Sequence, residues 1–202
     1  MEALFTGLGL GLVVAVSFGP INVLELDSGL RFGFAPALGV GFGAALADGT
    51  YAFLGGLGAA ALVAGPTEGW LQIVGGGALL AIATSMVRRP RTREERASPG
   101  FRRMFGVSLL ATLANPLTIV YWAAAFGGVV PELRLSRLDA LTLLPLGVLT
   151  GTAVWTTVLA IGSAFAGRYV SERLLGRLSL VSALTIAGFG AWLVAAGVRT
   201  LS

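Results

Sequence analysis

One carboxylate is conspicuous for its surroundings. Asp48 is the only charge in the 36-residue stretch between Arg31 and Glu68. Carrying a carboxylate deep into an apolar membrane run costs about 2.5–3.5 kcal/mol on insertion scales, so such a residue normally faces a watery path or a partner. Its chemistry is that of a proton carrier or a cation-binding group. The structural alternative is a hydrogen bond to another helix. The chain has no Lys and no His, and its Arg residues lie in or near the hydrophilic connections. A permanent partner for Asp48 inside the membrane is therefore hard to find.

Two dipeptides could open the backbone near that carboxylate. Gly19-Pro20 and Asn115-Pro116 each lie inside an apolar run. Proline removes a backbone donor and collides with the carbonyl four residues earlier, so each pair interrupts a helix. At membrane depth the freed carbonyls need protein, water or ligand. Broken half-helices present dipole ends to ions and charged solutes. Asn22 and Thr118 each follow a proline by two residues and add side-chain hydrogen bonds near the breaks. Glu25, five residues after Pro20, has two readings: a contact for a substrate ammonium near the inner mouth, or a solvated residue at a helix end beside Asp27 and Arg31. Tyr121 holds the corresponding place after Pro116, next to Trp122, and both read as interfacial anchors or packing groups.

The elements that position these residues follow from composition. The chain has 202 residues, 55% hydrophobic and 12% charged, with a mean hydropathy of +0.85. That is half the charge of an ordinary soluble domain, which excludes a typical soluble enzyme. Disorder is excluded because it requires low hydrophobicity. With no Cys and no His, thiol redox chemistry, Cys/His zinc sites and His-based triads are absent, and no metal site or cofactor is expected. Phosphate-loop, HExxH and GxSxG patterns are missing as well. The basic balance does not indicate nucleic acid, because the net charge is only +4 and the Arg residues sit between apolar runs.

Six stretches are long enough to cross a bilayer, which takes about 20 apolar residues. They are 3–24, 32–67, 69–87, 104–131, 140–167 and 178–198, with Asp48 the one charge among them. The first is expected to remain as a span, since it opens on Glu2 rather than a basic segment. Arg31, the seven Arg between 88 and 103, and Arg168, Arg173 and Arg177 fall on one side. Arg134, Arg137 and Arg199 fall on the other. The richer side stays in the cytoplasm, so both termini are expected outside. The hydrophilic segment 88–103 reads as a topogenic loop at the anionic inner leaflet.

That loop divides the chain into 1–87 and 104–202, each with three spans. Gly39, Val40, Gly43 and Ala45 in the second span align with Gly147, Val148, Gly151 and Ala153 in the fifth. Pro20 and Pro116 occupy matching places in the first and fourth. An odd number of spans per half makes the halves enter the membrane in opposite senses. The predicted architecture is an all-α membrane protein, a 3+3 inverted repeat with spans 1 and 4 interrupted, as is common in secondary transporters. Gly7, Gly11, Gly39, Gly43, Gly147 and Gly151 form small-residue faces for close packing within or between subunits, which leaves a homodimer open.

GPINVLELDSGLRFGF, GVGFGAALADGTY and ANPLTIVYW resemble the lysine-exporter (LysE/RhtB) family of amino-acid exporters in motif order over nearly the whole chain. Ala47 stands before Asp48 where Gly is frequent in that family. The resemblance implies a transporter in a bacterial or archaeal inner membrane that exports amino acids or related small solutes, driven by proton antiport. It implies roles for Gly19, Pro20, Asp48, Asn115 and Pro116. Two other readings stay open: a hard-cation exporter, for example of Mn²⁺ through Asp48 and Asn115, and a non-transporting membrane assembly protein.

Overall fold

The computed structural model describes residues 1–17, 19–57, 66–88, 98–126, 130 and 135–201. Among these the structure is helical, with no strand. Helix α1 (Glu2–Val16) is followed by α2 (Pro20–Phe32), α3 (Phe34–Gly56), α4 (Pro66–Arg88), α5 (Gly100–Leu113) and α6 (Pro116–Ala124). Then come α7 (Arg137–Leu141), α8 (Leu143–Ala166) and α9 (Glu172–Leu201). Residues 89–97 of the basic segment lie outside the described residues.

Among the described residues, three stretches are each long and apolar enough to cross a membrane: Phe34–Gly56, Arg137–Ala166 and Arg173–Leu201. A fourth results if α1 and α2 form one span, whose two parts differ in direction by 73°. The apolar run 3–24 is thus divided between α1 and α2. Gly19 caps α2 in extended conformation and Pro20 opens it, the position where a missing N–H costs nothing. Between α2 and α3 the chain turns at Gly33, whose φ of 86° favours a residue without a Cβ.

Helix α8 shows how an apolar sequence acquires an inside. Val148, Thr152, Thr156, Ala160 and Ser163 are buried along one face, while Val154, Val158, Ile161 and Phe165 are exposed on the opposite one. Both stripes follow the helical spacing. The inner stripe carries the polar atoms, and the outer one suits lipid.

Close approaches assemble the helices. Helix α1 packs on α8, α5 on α3, and α4 on α9. A Cβ on Gly7 or Gly11 would strike the carbonyls of Leu144 and Val148, and one on Gly147 or Gly151 would strike those of Leu4 and Leu8. Gly39 and Gly43 of α3 meet the carbonyls of Phe101 and Phe105 of α5 in the same four-residue step. Backbone contact of this kind is how apolar helices associate without a hydrophobic driving force between them. The small-residue faces are therefore occupied inside the chain and supply no argument for a homodimer. Helix α2 lies within this assembly, against α3, α8 and α9.

Candidate functional site

Asp48 is 4% exposed, near the middle of α3. Two side chains donate to it. Trp122 Nε1 lies 3.2 Å from Oδ1 and Thr152 Oγ1 lies 3.2 Å from Oδ2. The partner that the sequence did not disclose is a pair of neutral donors, which an inventory of charges cannot find. Trp122 is itself buried and packs with Ala52, Ala125 and Val148. It is therefore a contact of the carboxylate and no interfacial anchor. A buried indole N–H needs an acceptor, and that rule was the available signal.

Thr152 also lies 3.3 Å from the Gly11 carbonyl of α1. Tyr121 donates from α6 to the Leu10 carbonyl at 3.0 Å. Helices α1, α3, α6 and α8 thus converge around Asp48.

The neighbourhood of each proline has its own closure. Asn22 Nδ2 donates to the carbonyls of Ala15 at 2.9 Å and Ser17 at 3.0 Å, the end of α1. Trp155 Nε1 lies 3.4 Å from Asn22 Oδ1. Ser17 Oγ donates to the Val13 carbonyl at 2.9 Å. Between α5 and α6 the Asn115 N–H turns back to the Thr112 carbonyl at 3.1 Å, and the Asn115 carbonyl accepts from Ile119 at 3.2 Å. The Leu113 carbonyl accepts from the Tyr51 hydroxyl of α3. Tyr51, one turn after Asp48, was not anticipated in this role. Asn115 and Thr118 are both buried.

Glu25 is fully buried, and neither carboxyl oxygen has a hydrogen-bond partner among the described residues. This overturns the reading of a solvated helix end. The carboxyl lies where a Cβ on Gly41 would meet both Glu25 Oε1 and the Thr156 side chain. Asp27 and Arg31 are likewise buried and form a pair, with Nε 2.8 Å from Oδ1. Arg31 Nη2 reaches the Leu175 carbonyl of α9 at 3.1 Å. The reading that put Glu25 at a solvated helix end beside these charges fails, because the buried path of α2 was not legible from its composition. Among the described residues, no three His, Cys, Asp or Glu side chains come together as a metal site.

Apolar helices around a buried polar centre fit a multi-pass membrane protein, a class that the comparisons narrow to a family of transporters. The LysE type translocator family matches residues 12–197, and the chain belongs to it. A relative from Bacillus subtilis (strain 168), named "Putative amino acid efflux protein YcgF", is 26% identical over 198 residues, 95% of each chain. No solved structure gives a significant match.

Proposed function

We propose that the protein exports amino acids or related small solutes across a bacterial or archaeal inner membrane in exchange for protons, with Asp48 as the coupling group. The observation that carries this reading is the setting of Asp48. It belongs to the first half of the chain, yet both of its donors, Trp122 and Thr152, belong to the second. A proton there alters an interaction between the halves. The name of the Bacillus subtilis relative supports amino acids as the cargo.

The 3+3 inverted repeat is part of the proposal. Its support is reciprocal packing: α1 on α8 matches α5 on α3 if the halves, 1–87 and 104–202, are related by a two-fold, and α4 on α9 maps onto itself. The equivalent glycines of α3 and α8 receive their partners in the same register. In this reading α1–α2 and α5–α6 are spans 1 and 4, interrupted at Gly19-Pro20 and Asn115-Pro116. Rocking of the halves then exposes the centre alternately to each side. Asn22 and Thr118 serve beside the breaks, and Glu25 receives the substrate ammonium. The Arg distribution supports a cytoplasmic 88–103 segment and external termini.

Thr152 supplies the coupling step. Its hydroxyl has one proton and lies within reach of two acceptors, Asp48 and the Gly11 carbonyl. With Asp48 ionised, Thr152 donates to the carboxylate. With Asp48 protonated, the carboxyl O–H donates to Thr152 Oγ1 and the threonine proton turns to Gly11. Protonation in one half thereby strengthens the hold of α8 on α1. The test is uptake of labelled amino acids into everted vesicles with an acid lumen. Uptake that collapses with the proton gradient is expected, and gradient-independent uptake contradicts the coupling.

A further inference from the structure

A cavity whose lining does not include Asp48 lies between α2, α4 and α5. Its volume is about 220 Å³, and Asp27, Ser28, Ser85 and Arg103 line it together with Leu24, Met86 and Met104. By liquid volume it holds about seven waters, the bulk of one small amino acid and too little for a peptide. Its two charges differ in sign and in availability. Asp27 is 5% exposed, and Arg31 occupies Oδ1, while Oδ2 has no hydrogen-bond partner among the described residues. Arg103 is exposed and has neither an ion pair nor a hydrogen bond among the described residues. A carboxylate oxygen on the wall with no partner among the described residues, an unengaged guanidinium and an apolar lining together fit a zwitterion with an aliphatic side chain.

We propose that this cavity is a cytoplasmic loading site for an amino acid of that kind, upstream of the Asp48 centre. Arg103 takes the α-carboxylate, for which a guanidinium fork is well shaped. Asp27 Oδ2 takes the α-ammonium, and Leu24, Met86 and Met104 face the side chain. Arg31 holds Asp27 in place and is itself held by Leu175. The inference rests on the amino-acid export reading and on the orientation that puts Arg31 and Arg103 toward the cytoplasm. It gives Arg103 a role beyond topology, and it disfavours substrates that lack either charged group.

The test uses everted vesicles containing the full-length protein, with uptake normalised to inserted protein. Labelled amino acids are screened first, and the best substrate is then competed with its unlabelled acid and with its α-amide, which lacks the carboxylate. In the unmodified protein the amide should compete about tenfold worse or more, the scale of one hydrogen bond to a charged group. Arg103→Gln should raise KM about 10- to 100-fold and abolish the preference for acid over amide. Arg103→Lys should recover part of both. Ser85→Leu, which fills the cavity, should raise KM without altering that preference. An unchanged KM and an intact preference in Arg103→Gln would overturn the loading site while leaving amino-acid export standing. Absence of amino-acid uptake by the unmodified protein would overturn both.

Discussion

Asp48 and Glu25 are both carboxylic acids buried among apolar helices, and their environments are opposite. Asp48 accepts from Trp122 and Thr152, so its ionised form is provided for. Glu25 is fully buried and has no hydrogen-bond partner among the described residues. An isolated carboxyl group in such a place carries a desolvation penalty that a ligand or partner would offset. Glu25 thus awaits a cationic group, whereas Asp48 already has donors in place. The contrast separates a group that can cycle from one that waits for a ligand.

Removing the donors of Asp48 should have the largest effect on folding. Trp122→Phe and Thr152→Val each leave one carboxylate oxygen without its partner, at about 1–3 kcal/mol apiece. Because both act on one group, the double variant should depart from the sum of the singles. Unfolding in detergent, followed by denaturant titration, measures this. Unchanged stability in both singles would make the Asp48 site no more settled than the Glu25 site.

Asn22 sits between these extremes. Asn22→Leu strips two donated bonds from the end of α1 and should cost about 1–3 kcal/mol by the same measurement. A loss of transport with stability intact would move Asn22 from closing the break to contacting the solute.

Glu25→Gln should have the smallest effect on stability, since no hydrogen bond is lost and the amide is nearly isosteric. Transport should respond differently, with KM rising as the ammonium contact disappears and Glu25→Asp restoring part of it. A large destabilisation by Gln would show that Glu25 has a structural partner after all.

Much of this was legible in the sequence where a single residue sets the physics. Asp48 declared itself by interrupting an apolar run, and the two prolines marked where helices α2 and α6 begin. The glycines of α1, α3 and α8 announced close packing, although spacing alone could not say whether the partner was this chain. What remained hidden depended on which face of α2 turns inward. Charge counting left Glu25 open between a ligand contact and a solvated residue beside Asp27 and Arg31, because a polar helix looks the same in sequence whether water or other helices cover it. The donors Trp122 and Thr152 come from distant segments and carry no charge, so only packing brings them to Asp48.

The central claim is that protons pass through Asp48, and one variant tests it most directly. Asp48→Asn preserves the size of the side chain and an acceptor while removing its ability to ionise. Uptake of a labelled amino acid into everted vesicles is measured with an imposed proton gradient, and exchange at equal concentrations is measured without one. The account predicts that gradient-driven uptake falls to the level of vesicles lacking the protein while exchange, which requires no net proton transfer, persists. Full gradient-driven uptake by Asp48→Asn would contradict it.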